Sequence, residues 1–174
     1  MTAAALVLLG LVALAGLALT VRGEQRPVAS IGALALVGAL AVGAAFAWAE
    51  DGVGGVALQG GVVLAVLAAI TGGSPVATSV LNAADPAAAG VSGGPQDPDI
   101  LRGGAWIGVL ERGAIAATLL AGWPEGLAVI LAVKGLGRFS ELRTPAAAER
   151  FIVGTLASGL WAAACAGVAV LLRG

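Results

Sequence analysis

The sequence predicts an all-α fold, a bundle of six transmembrane helices with both termini outward. Three observations carry that prediction. The chain is 59% hydrophobic and 11% charged, with a mean hydropathy of +1.01, whereas soluble domains carry about 25% charged residues. Apolar runs recur along its 174 residues, several of them approaching the ~20 residues that cross a bilayer. Finally, the Lys and Arg residues that fall outside those runs collect on one side of the alternation, as the positive-inside rule requires of cytoplasmic loops.

The elements follow in order. Ala3 to Val21 is apolar and is closed by Arg22, Glu24, Arg26 and Pro27. A signal peptide is the alternative reading, but no Lys or Arg precedes the run and no strong cleavage signature follows it. The first span is therefore expected there, and the second from Val28 to Trp48, ended by Glu50-Asp51-Gly52. The third is expected from Val53 to Ile70. Its Gly54, Gly55, Gly60 and Gly61 offer smooth faces for close packing, which lipid tolerates because unsatisfied backbone would cost more there.

Residues 71–104 are rich in Gly, Pro, Ser and Asp and read as a cytoplasmic linker between the N-terminal unit, 1–70, and the C-terminal unit, 105–174. Ser74-Pro75, Asp85-Pro86 and Asp97-Pro98 each pair a capping residue with a proline, so each predicts the start of a short helix. Pro75 to Ala84 reads as one such helix on the membrane surface, with Thr78 and Asn82 on one face. Asp85, Asp97 and Asp99 read as solvated caps.

Ala105 to Ala121 predicts the fourth span, Trp123-Pro124-Glu125-Gly126 a turn, and Leu127 to Leu136 a short fifth span. Thr144-Pro145 starts the last helix, which spans from Phe151 to about Leu172. With this order Arg22, Arg26, Arg102, Arg138, Arg143 and Arg150 share the cytoplasmic side, and Arg173 lies at the other end. Trp48 and Trp123 then sit at the outer interface and Trp106 at the inner one, as an aromatic belt does. The implied location is the plasma membrane.

Charges inside apolar spans are rare and expensive, so they point to function. The candidates are Glu111, Arg112, Lys134, Arg138, Glu141, Glu149 and Arg150. At ~1.5 Å per residue, Glu111 and Arg112 lie about 8–10 Å in from the cytoplasmic end, level with Lys134 on the returning helix. Arg138 falls one turn lower, beside Glu141. Two readings stay open. Glu111 with Lys134 and Glu141 with Arg138 form neutral pairs that lock helices together, or the one surplus positive charge takes a phosphate, a carboxylate or an anionic lipid headgroup.

Other residues exclude more than they suggest. The chain has no His and a single Cys165, so no His-based zinc site, internal disulfide or His base is available, and no metal or cofactor is expected. The net charge of −1 and the lack of a basic stripe argue against nucleic acid. Thr155 and Ser158 have no candidate base nearby, so serine chemistry is not expected. Gly104 with Gly108, and Gly154 with Ser158, space small residues for tight helix contacts. Trp161 and Cys165 read as core.

GGAWIGVLERGAI, LLAGWPEGLAVILAVKGLGRF and ERFIVGTLASGLWA together resemble segments of an uncharacterised family of bacterial, mainly actinobacterial, multi-pass membrane proteins. The resemblance covers about residues 101–164. It implies an architecture and a shortlist of positions, and no reaction. The expected function is a non-enzymatic scaffold or partner-binding membrane subunit. The alternatives are a carrier or channel-like protein that takes an anion at the basic cluster, and a lipid-acting enzyme with Glu111 as acid or base. The expected partners are membrane lipids, with a protein partner or a second copy of the chain as further possibilities.

Overall fold

A computed structural model of the chain describes residues 1–22, 26–84, 104–140 and 142–174. Those residues form six α-helices: α1 (Thr2–Arg22), α2 (Arg26–Trp48), α3 (Gly55–Ala84), α4 (Gly104–Leu120), α5 (Gly126–Gly137) and α6 (Pro145–Leu171). Four of them, α1, α2 from Ala29, α3 and α6, are long and apolar enough to cross a membrane. Leu11, Leu14 and Val21 on α1, and Ile31 and Leu34 on α2, are exposed. Apolar faces of that extent suit lipid rather than water.

One helix departs from the expected length, and the fifth is short as expected. The third was expected to end at Ile70, with a separate surface helix from Pro75 to Ala84. Instead α3 runs unbroken for 30 residues, with Pro75 inside it. The division expected at residue 71 therefore falls within a helix, and Ser74 caps nothing. The reason is packing: Gly72, Gly73, Pro75 and Val76 are buried against neighbouring helices, and burial outweighs the roughly 3 kcal/mol that an interior proline costs. The fifth helix has 12 residues, or about 18 Å, against a hydrocarbon thickness of about 30 Å. The caps expected at Asp85 and Asp97 lie outside the described residues.

α3 is the axis of the bundle, packed against α1, α2, α4 and α6, whereas α5 packs chiefly on α4. Close approach at the axis depends on missing side chains. A Cβ on Gly16 of α1 would stand 2.7 Å from the Gly72 Cα of α3, and one on Gly72 would stand 2.4 Å from the Trp161 ring of α6. Trp161 is buried as expected, and its Nε1 donates to the Ala68 carbonyl at 3.0 Å. Cys165 is also fully buried.

Thr71 and Thr20 fasten the α1–α3 seam. The Thr71 hydroxyl bonds the Ala13 carbonyl at 2.9 Å, and the Thr20 hydroxyl donates to the Thr71 carbonyl at 3.2 Å. That second carbonyl is the one whose i+4 amide Pro75 lacks. At the opposite end of the bundle the Val53 amide meets the Leu172 carbonyl at 2.8 Å, and Arg173 Nη2 meets the Leu120 carbonyl at 3.0 Å. The start of α3 and the ends of α4 and α6 thus share one end.

Candidate functional site

Adjacent residues on an α-helix point about 100° apart, and α4 uses this to send two charges in different directions. Glu111 faces α5 and Arg112 faces α3 and α6. Both are buried, Glu111 at 8% exposure and Arg112 at 4%.

Arg112 is held by three oxygens from two other helices. Its Nε donates to the Ile70 carbonyl at 3.0 Å, its Nη2 to the Ser74 hydroxyl at 3.1 Å and its Nη1 to the Ser158 hydroxyl at 3.4 Å. Two glycines make room for it. A Cβ on Gly73 would lie 2.1 Å from Arg112 Cδ, and one on Gly108 would lie 3.1 Å from Nη1. Neutral acceptors cannot cancel the charge, but they replace the water that a buried guanidinium loses.

Glu111 pairs with Lys134 of α5, whose Nζ lies 2.7 Å from one carboxylate oxygen and 2.5 Å from the other. Lys134 also lies 5.7 Å from the centroid of the Phe151 ring on α6, within reach of a cation–π attraction. The expected level match of Glu111, Arg112 and Lys134 is therefore realised, with the acid divided from its neighbour in sequence and joined to its neighbour in space.

Arg138 lies at the end of α5 and Glu149 and Arg150 near the start of α6. Arg138 caps the end of α5, its amide bonding Gly135 and Leu136 carbonyls, and its side chain is engaged. Glu149 and Arg150 lie in the second turn of α6, beside a cavity of about 200 Å³ that Leu81 and Ala84 of α3 also line. Arg150 is engaged too. Glu141, and with it the expected pairing to Arg138, lies outside the described residues.

No family model, curated protein or solved structure matches the chain.

Sequence reasoning missed Ser74 and the Ile70 carbonyl as partners of Arg112, and it saw Ser158 only as a small packing residue. Their signal was faint but present. Gly72-Gly73 immediately precedes Ser74-Pro75, and small residues beside a hydroxyl in an apolar run let another helix come close and bond it. Thr155, also buried, stands one turn before Ser158 on the same face of α6.

Proposed function

We propose that the chain is a non-enzymatic subunit of the plasma membrane, a scaffold or partner-binding protein that crosses the bilayer six times with both termini outward. One observation carries this reading: the Arg112 guanidinium is buried between helices, with each of its three nitrogens donating to an oxygen of its own fold, at Ile70, Ser74 and Ser158. Glu111 is likewise taken by Lys134. A carrier or an enzyme needs its charged groups presented to a space that a ligand can enter. Here the central charges are closed between helices.

The orientation rests on residue placement. Arg22 ends α1 and Arg143 precedes α6 on the side assigned to the cytoplasm, while Arg173 closes α6 on the other. α4 and the short α5 supply the remaining two crossings as a hairpin, the bilayer thinning locally to match α5, with Lys134 neutralised on its way through.

Native mass spectrometry of the gently solubilised protein tests the proposal. Wild type, Arg112→Gln and Lys134→Gln should carry the same bound lipids and anions. A lipid or phosphate retained by wild type and lost in both variants would overturn the scaffold reading in favour of a carrier.

A further inference from the structure

The cavity beside Glu149 and Arg150 is not explained by the lock at Arg112. It lies where α3 ends and α6 begins, with Leu81, Ala84, Ala146 and Val153 completing its lining. The Leu81 side chain on its lining approaches α6 so nearly that a Cβ on Gly154 would stand 3.3 Å from it. Its depth follows from one hydrogen bond: the Ser79 hydroxyl meets the Ala29 carbonyl, 3.4 Å away, at the start of α2. Leu81 and Ala84 come later on α3, so the cavity sits level with the start of α2. With the long helices crossing the bilayer, that is headgroup depth.

Size and lining narrow the occupant. About 200 Å³ is less than the roughly 300–1,000 Å³ of pockets that enclose drug-sized ligands, so the space suits a headgroup rather than a whole lipid. One carboxylate and one guanidinium line it beside apolar side chains. A simple anion leaves Glu149 facing a like charge, and a simple cation does the same to Arg150. Quaternary ammonium groups are held by aromatic faces, and none lines this cavity. A primary ammonium instead donates to a carboxylate while a phosphate accepts from arginine. Arg150 is already engaged, but a guanidinium has five N–H donors, so a phosphate can be added without displacing what is there.

We propose that this cleft binds the headgroup of an amine-bearing phospholipid, its phosphate at Arg150, its primary ammonium at Glu149 and its glycerol end against Leu81 and Val153. The proposal rests on the membrane placement of α3 and α6 and not on the scaffold reading.

The test equilibrates the full chain in nanodiscs of equal phosphatidylethanolamine, phosphatidylcholine and phosphatidylglycerol, then measures retained lipid after mild extraction. Wild type should retain phosphatidylethanolamine over the other two. Glu149→Gln should lower that preference over phosphatidylglycerol about two- to fivefold, the range an exposed ion pair carries. Arg150→Gln should lose both phospholipids. Ala146→Trp, at an exposed position on the rim, should block retention while leaving thermal unfolding unchanged. Soluble phosphoethanolamine that binds lipid-free protein, and binds Glu149→Gln more weakly, would support the same headgroup chemistry with a soluble source. A wild type without preference, or one whose preference survives both Glu149→Gln and Ala146→Trp, would overturn the proposal.

Discussion

The Thr20 hydroxyl is shared between the Gly16 carbonyl of its own helix at 2.9 Å and the Thr71 carbonyl of α3 at 3.2 Å, and the latter is the carbonyl that Pro75 deprives of its helical amide. A proline inside α3 is thereby accommodated by a side chain of α1. The seam between the two helices is built on a backbone defect that another helix repairs, a device that membrane helices use because water is not there to do it.

A coupling follows. Thr20→Val should destabilise the protein by about 0.6 kcal/mol, the average for hydrogen bonds between membrane helices, and by no more than about 1.7 kcal/mol. In a Pro75→Ala background, where residue 75 again supplies an amide, the same change should cost less. Unfolding in mixed detergent, followed by circular dichroism for the four proteins, gives the comparison. Equal costs in both backgrounds would show that the Thr20 bond is unrelated to the proline.

Gly72 is the tightest point of the α1–α3–α6 packing. An added Cβ meets the Trp161 ring at 2.4 Å, so Gly72→Ala should cost about 1–3 kcal/mol, as overpacking does. The emission of Trp161, now buried with its Nε1 on the Ala68 carbonyl, should shift to the red in a protein whose other three tryptophans are replaced by Phe. An unchanged spectrum and stability would contradict this packing.

Arg112→Lys is not a conservative change here. A lysine ammonium is a point charge and cannot fork to acceptors on two helices, and its stem must still pass Gly73. The expected loss is about 3 kcal/mol, in line with disrupting a buried charged network. Thermal unfolding checks it, and a variant as stable as wild type would remove Arg112 from the account of how α3, α4 and α6 are joined.

Outside the spans, Glu50 is held below the ordinary carboxyl value of 4.5 by its contact with the Met1 ammonium first, at 2.9 Å, and by a hydrogen bond from Thr2. A depressed carboxyl stabilises the folded state above its unfolded value and loses that contribution as pH falls through the folded one. Stability should thus decline as pH falls below 4.5, and Glu50→Gln should flatten that limb. A limb of unchanged slope in the variant would assign it to other carboxyls.

Much of this was legible in the sequence, and the failures have physical causes. Helix existence followed from hydropathy, and the meeting of Glu111 with Lys134 followed from a tight turn between antiparallel helices. The extent of α3 did not, because Pro75 and the glycines before it carry local signals for a break that tertiary burial overrides. The partners of Arg112 were hidden for a related reason: a backbone carbonyl and two serines have no distinctive spacing, and only the packed bundle brings them to one place.

The measurement that tests the central claim most directly is the exchange of Glu111 and Lys134. Glu111→Lys and Lys134→Glu should each destabilise the protein by about 3 kcal/mol, the low end for breaking a buried pair, since 20% of the Lys134 side chain is exposed. The double exchange should recover most of that loss, less what Lys beside Arg112 costs. Recovery means that the two charges lock α5 to α4. A double variant no more stable than the singles would contradict the lock and return these residues to the list of ligand-binding groups.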